Sequence, residues 1–300
     1  MKKLLIYIPS YNRYELLCQQ IEFLIQDIDS HDLKNTRVIV NDNASTDERY
    51  LTLPNRFQKE YFSFHRNDVN IGLVGNLIRG FEQADWDYIW ILSDDDIVEP
   101  GALKRITGEI QEGTHDFYYL RCNIHGNDRV RDGEIIRSLE GYLSRFATLS
   151  MMGLISATIY PIRIKRYLEY MYIYGYTIFP FLAGMFKLME SESFSLKCIG
   201  GKLLQWRPDN RSWSHIYWMA LGNILYLAET IGDKKAKKIL IEMHLRDFGI
   251  SHYFPFIIRD SYNLKKGLTQ VGLLRLAKLF LLTLAFNLKL VLHKTMKSVS

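Results

Sequence analysis

Four short apolar runs, each ending in a polar loop, divide the first hundred residues and leave few folds open. They lie at residues 4–8 (Leu-Leu-Ile-Tyr-Ile), 37–40, 62–65 and 88–92. Residues 14–28 intervene with Leu16, Leu17, Ile21, Leu24, Ile25 and Ile28 at helical spacing, and residues 72–84 with Leu73, Leu77, Ile78 and Phe81. Strands alternating with amphipathic helices of this length predict βαβ units and a mostly parallel sheet in an α/β fold. Ligands of such sheets bind beyond the carboxyl ends of the strands. The polar segments 9–13, 41–47, 67–72 and 93–96 follow successive strands, so they are expected to converge at one edge.

The rest of the chain is less regular. Residues 117–120, 154–159 and 196–206 read as strands, and 139–151 and 162–174 as helices. From His215 onward the pattern turns helical, at 216–231 and 234–248. No repeat or Pro-rich linker marks a boundary. At 300 residues with 48% hydrophobic composition, the chain has ample material for a core. The apolar start, residues 4–8, is too short for a signal peptide and is stopped by Pro9-Ser10-Tyr11. Cys18, Cys122 and Cys198 are distant from one another, which fits a reducing compartment and no zinc site.

Charge is unevenly placed. From Ser261 there is no Asp or Glu, whereas Lys265, Lys266, Arg275, Lys278, Lys289, Lys294 and Lys297 are basic. Removing those seven from the net +5 leaves −2 for the first 260 residues, which points away from nucleic acid and toward an anionic membrane surface. Ten uncharged residues between Lys278 and Lys289 are too few to cross a bilayer, which takes about 20. At about 100° per residue, Arg275, Lys278, Lys289, His293 and Lys297 share one side of a helix suited to lying on a membrane or docking on the core.

The chemistry concentrates where the fourth run ends. Tyr88-Ile89-Trp90-Ile91-Leu92-Ser93 leads into Asp94, Asp95 and Asp96. Three adjacent like charges raise one another's proton affinity unless a positive group sits among them. Mg²⁺ and Mn²⁺, held by one or two carboxylates plus substrate phosphates, suit such a site; an acidic solvated turn is the plainer alternative.

Taken in order, Ile8-Pro9-Ser10-Tyr11-Asn12-Arg13, Val40-Asn41-Asp42-Asn43-Ala44-Ser45-Thr46-Asp47, Asn70-Ile71-Gly72 with Asn76, and Leu92-Ser93-Asp94-Asp95-Asp96 with Pro100 resemble the family 2 glycosyltransferases of GT-A fold. The resemblance covers about residues 4–103 and is specific through the order of the motifs. It implies a Rossmann-like nucleotide-sugar half (1–100), an acceptor half (101–215) and a helical C-terminal extension (216–300). It further implies a metal-dependent, inverting enzyme of bacterial surface polysaccharide or lipo-oligosaccharide synthesis. The donor would be a nucleotide-sugar, UDP-linked by default, and the acceptor a glycan or lipid-linked glycan at the inner membrane face, with the protein peripherally attached.

Under that resemblance Pro9, Tyr11, Arg13, Asp42, Asn70, Gly72, Asn76 and Asp94 line the donor. Tyr11 offers a flat face for a uracil ring and Asp42 an acceptor for its N3–H. The helix opened by Asn70-Ile71-Gly72 offers its N–H groups. Members place a Pro five residues after the metal-binding Asp, and counting back from Pro100 assigns Mn²⁺ or Mg²⁺ to Asp95, with Asp94 beside it toward the ribose. The general base is sought in Asp209, in the polar loop Trp206-Arg207-Pro208-Asp209-Asn210, or in Asp96; Glu169, Glu190 and Glu192 are weaker candidates. His215 is a further possible metal ligand.

Two other classes share parts of this pattern. A haloacid-dehalogenase-type phosphatase ends a strand in Asp-x-Asp-x-Val, which Asp94-Asp95-Asp96-Ile97-Val98 satisfies, although that motif ordinarily stands on the first strand. A non-catalytic sugar-binding or membrane-surface module is the other.

Overall fold

The computed structural model describes residues 1–122, 130–146, 148–205, 223–224 and 226–247. In chain order the strands are β1 (Leu4–Ser10), β2 (Thr36–Asp42), β3 (Phe62–Arg66), β4 (Tyr88–Ile91), β5 (Ile97–Val98), β6 (Phe117–Cys122), β7 (Ile135–Ile136), β8 (Thr158–Pro161) and β9 (Leu196–Gln205). The α-helices begin with α1 (Tyr14–His31), α2 (Leu53–Arg56), α3 (Gly72–Gln83) and α4 (Ala102–Glu112). There follow α5 (Leu139–Leu143), α6 (Leu149–Met152), α7 (Leu168–Ile173) and α8 (Pro180–Ser191), and then the helix Lys234–Asp247.

One sheet runs through both halves, in the order β3-β2-β1-β4-β8-β6-β9-β5, with β7 beside β9. The long ladders β1–β2, β2–β3, β1–β4 and β6–β9 are parallel, and short antiparallel ones join β8 to β4 and β6, and β5 and β7 to β9. This is the α/β, mostly parallel sheet that the strand–helix alternation predicts.

Both faces of the sheet are covered, which is why its central strands carry no polar residue until they end. Leu4, Ile6 and Ile8 point to one side with Val38, Val40 and Trp90, and meet Leu17, Ile21 and Leu24 of α1 and Ile106 of α4. Leu5 and Tyr7 point to the other with Ile39, Ile89 and Ile91, and meet Leu77, Ile78 and Phe81 of α3 and the apolar α8. Each such side chain contributes about 1.5–3 kcal/mol by burial. Helix α3 lies close on β1 because residue 80 is glycine: a Cβ there would sit 2.6 Å from the Tyr7 ring. Asp27 of α1 accepts the N–H groups of Gly101 and Leu103 at 2.9 Å, satisfying the open N-terminus of α4. All three cysteines are buried, free thiols.

The second half departs from the sequence-based expectation in several places. The strand expected at 154–159 is a 3₁₀ turn, Ile155–Ala157, followed by β8 at Thr158–Pro161. The helix expected at 139–151 is two short ones, with Phe146 buried in the gap between them. The helix expected at 162–174 begins as 3₁₀, Ile162–Tyr167, where Lys165 Nζ reaches the carbonyls of Glu82 and Ala84 at 2.8 Å. That contact satisfies carbonyls at the end of α3. Helices α4 and α8 were not anticipated. Among the described residues no helix is long and apolar enough to cross a membrane. The basic segment after Ser261 lies outside the described residues.

Candidate functional site

The polar loops meet at the carboxyl ends of β1, β2, β3 and β4. Parallel register puts Pro9 beside Asn41, Ser10 beside Asp42, and Asp42 beside Arg66. The first two loops are joined by hydrogen bonds. Asn43 N–H donates to the Ser10 carbonyl at 2.9 Å, Asn12 N–H to Ser45 Oγ at 2.9 Å, and Thr46 N–H to Asn12 Oδ1 at 2.9 Å. Asn12 adopts positive φ (53°), a conformation Asn tolerates better than most residues, and this turns Tyr11 outward to 41% exposure. Its ring face is open, while Pro9 remains half-buried in β1.

Asp42 is fully buried at 0% exposure. Its Oδ1 accepts from the Ser45 N–H at 3.0 Å and from the Ser45 hydroxyl, and its Oδ2 from Arg66 Nη1 at 2.6 Å. At 0% exposure, Asp42 meets a uracil N3–H only if the groups covering it move. As the loop stands, Asp42 ties β2 to β3.

Five asparagines connect the second loop to the third. Asn41 Nδ2 donates to Asn76 Oδ1 at 2.6 Å, Asn67 Nδ2 to Asn43 Oδ1 at 2.9 Å, and Asn43 Nδ2 to Asn70 Oδ1 at 2.8 Å. The Ile71 N–H donates to Asn43 Oδ1 at 3.0 Å, and Gly72 N–H to Asn70 Oδ1 at 2.8 Å. Asn76 is 2% exposed, so its amide holds Asn41 and Asn67 rather than facing solvent. Asn70 and Gly72 are exposed at the start of α3. Gly72 has φ +77°, which a side chain would strain.

The three carboxylates follow β4. Asp94 Oδ2 accepts from Ser10 Oγ at 2.6 Å, and that hydroxyl is 2.8 Å from Tyr50 Oη. One guanidinium nitrogen, Arg13 Nη1, lies 2.9 Å from both Asp94 Oδ1 and Asp95 Oδ2. The other Asp95 oxygen accepts from Ser93 Oγ. Asp96 is 3% exposed, and its Oδ2 is buried without a hydrogen-bond partner. Ser156 is fixed by the Trp90 indole N–H on its carbonyl at 2.7 Å and the Ser93 N–H on its hydroxyl at 2.9 Å.

Burial dominates the protonation of this run. It pushes the Asp94 carboxyl up to about 6, against the attraction of Arg13 and with the repulsion of Asp95. It pushes Asp96 up to about 7, with Ser156 opposing and Asp95 and Asp94 reinforcing. Burial disfavours the Arg13 charge, yet Asp94 and Asp95 outweigh it and raise its pKa.

Two carboxylate oxygens, one each of Asp94 and Asp95, lie within reach of one positive atom and are the hard donors a divalent cation takes; among the described residues no group of three possible ligands stands together. Asp209 and His215 lie outside the described residues. Arg66, Ser10, Tyr50 and Ser156 were not anticipated as parts of the site. Only Ser10 stood inside a quoted motif; Tyr50 and Ser156 carry no local signal.

The family model of glycosyl transferase family 2 matches residues 5–195. A GalNAc(5)-diNAcBac-PP-undecaprenol beta-1,3-glucosyltransferase of Campylobacter jejuni is 32% identical over 131 residues, 42% of this chain. Those residues span 41% of that relative, so the match covers less than half its length. Among solved structures, S. aureus TarS 1-349 in complex with UDP-GlcNAc superposes with a TM-score of 0.61 at 13% identity, covering 90% of this chain and 80% of that one. The mannosyltransferase PcManGT of Pyrobaculum calidifontis, in complex with GDP-Man and Mn²⁺, gives 0.57 at 12% identity, covering 99% of this chain and 82% of that one. At these identities the structural matches establish the shared fold.

Proposed function

The chain belongs to glycosyl transferase family 2, and from that premise we propose that it is a metal-dependent, inverting glycosyltransferase. It moves a sugar from a nucleotide-sugar, UDP-linked by default, to a hydroxyl of a lipid-linked glycan in bacterial surface polysaccharide synthesis. The observation that carries the reading is the meeting of Asp94 and Asp95 on one cationic nitrogen at the edge where four strand-end loops converge. The relative from C. jejuni, named for a lipid-linked glycan, supports the acceptor class. The fold neighbours bound to UDP-GlcNAc, and to GDP-Man with Mn²⁺, support the donor class and the cation. Work at the inner membrane face, with the basic segment after Ser261 as the attachment, belongs to the same proposal.

Asp95 and Asp94 would hold the cation, Mn²⁺ or Mg²⁺, whose positive charge stabilises the departing diphosphate. The chain's own groups do the rest. Tyr11 offers an exposed ring to the base, and the Asn43-pinned Asn70–Gly72 turn, whose Ile71 and Gly72 N–H groups are bonded to Asn43 and Asn70, fixes the start of α3 beside the donor. The acceptor oxygen attacks the anomeric carbon opposite the leaving group. The bond from that carbon to the phosphate oxygen breaks with its electron pair, and a carboxylate takes the hydroxyl proton. Asp96, whose Oδ2 has no hydrogen-bond partner, is one candidate for that last task and would have to be uncovered to meet the acceptor. Asp209 is the alternative base. The phosphatase alternative loses its support with the family match.

Release and transfer of sugar from a panel of nucleotide-sugars, with Mn²⁺, with Mg²⁺ and with EDTA, tests the reading. Activity is expected only with a divalent cation, and Asp95→Ala is expected to lower it by about 100-fold or more. Cation-independent activity that Asp95→Ala leaves unchanged overturns the assignment.

A further inference from the structure

Arg13 occupies the place where the sequence would put a metal. Its Nη1 lies 2.9 Å from Asp94 Oδ1 and 2.9 Å from Asp95 Oδ2, while the remaining oxygens of those residues are taken by Ser10 and Ser93. The oxygens turned to Arg13 are therefore the ones a cation would use. Hard divalent cations bind carboxylate oxygens at about 2.0–2.6 Å, inside the span that the guanidinium now fills. The two positive groups exclude each other by volume and by charge.

We propose that Arg13 is a built-in counter-ion of the carboxylate pair, a plug that must withdraw for a divalent cation to enter and that sets how tightly the free protein takes metal. The proposal rests on the metal-dependent reading above.

The attachment of Arg13 allows such a withdrawal. Its main chain is fixed: the N–H donates to Tyr50 Oη at 2.7 Å, and the carbonyl accepts from Leu17 at 3.0 Å at the start of α1. Its side chain is 20% exposed, so the head can swing outward without moving the helix. Guanidinium stays charged at any accessible pH, so loss of its own proton does not release Arg13. A divalent cation entering there would replace the charge that Arg13 supplies to Asp94 and Asp95. An arginine swung toward solvent then stands beside the incoming diphosphate, where its fork of donors suits phosphate oxygens. Exchange of partners thus couples cation entry to donor entry.

The test measures Mn²⁺ affinity by electron paramagnetic resonance of the free ion and by calorimetry, with no donor present. The proteins are wild type, Arg13→Met, Arg13→Lys and Asp95→Ala, each shown folded by circular dichroism. A charge-assisted hydrogen bond to each of two carboxylates must be given up in the wild type, so Arg13→Met is expected to bind Mn²⁺ about tenfold or more tightly. Arg13→Lys, a point charge without the fork, is expected to fall between them and serves as the test if Arg13→Met does not fold. Equal or weaker binding by these variants overturns the proposal, because Arg13 would then be ordering the carboxylates instead of competing for them. Asp95→Ala separates the two readings: if it binds Mn²⁺ as tightly as wild type, the metal assignment itself fails and the plug with it.

Discussion

The loops after β2 and β4 both place buried aspartates at the carboxyl edge beside β1, yet they differ in how completely those aspartates are partnered. Asp42 has its oxygens engaged by the Ser45 N–H, the Ser45 hydroxyl and Arg66. The run 94–96 shares one guanidinium nitrogen between two carboxylates and leaves Asp96 Oδ2 with nothing. A saturated carboxylate holds a loop in one shape. A buried carboxylate with one oxygen left without a hydrogen-bond partner, as in Asp96, keeps a raised proton affinity. The first loop therefore reads as scaffold and the second as machinery, although the sequence presents both as polar loops with acidic residues.

The comparison breaks first at Asp42. Removing one partner of a buried ion pair strands the other, and Arg66 is a third exposed, so Asp42→Ala is expected to cost about 2–3 kcal/mol in urea unfolding. An unchanged midpoint would show that the end of β2 around Asp42 is not scaffold.

Asp96 sharpens the other side. Its folded pKa of about 7 and that of Asp94, about 6, stand above the ordinary value of 3.8. The folded state thus keeps these protons after the unfolded chain has lost them. Their contribution to stability is full below about pH 4 and is lost as pH rises toward 7. In EDTA, Asp96→Asn is therefore expected to gain on wild type by about 2 kcal/mol between pH 5 and pH 8, measured as the difference in unfolding free energy. Parallel pH dependences would mean that Asp96 is not under strain. The smallest effect is expected at Asn43, which holds Asn67, Asn70, Ile71 and Gly72. Asn43→Ala is expected to cost about 1 kcal/mol and to raise KM for the donor more than it lowers kcat. A fall in kcat alone would place this residue in the chemistry.

Much of the first hundred residues was legible because strands buried on two faces must be apolar throughout, and helices buried on one must repeat at 3.6. Observed β2 and β3 extend beyond the expected runs because Asn41, Asp42 and Arg66 pair across the sheet while looking like loop residues. The second half was less legible for the converse reason. Helix α8 is buried on nearly every side, so Phe181, Leu182, Ala183, Met185 and Phe186 leave no polar face to betray a period. Residues 162–167 were read as α-helix, and the observed 3₁₀ form goes with Lys165 reaching the end of α3, a contact with no trace in local sequence.

The sequence by itself determined which loops meet, because strand–helix alternation is read from hydropathy spacing that is local to the chain and parallel strands gather their following loops at one edge. It also placed the acidic run at a strand end. Only the tertiary structure decided who partners whom. Arg13 reaches Asp94 across 81 positions of sequence, Arg66 lands on Asp42 through strand register, and Ser156 meets Ser93 from the 3₁₀ turn before β8. Charge and hydrogen-bond partners are set by distances of a few ångströms between segments far apart in the chain. No local pattern encodes those distances; the packed core fixes them.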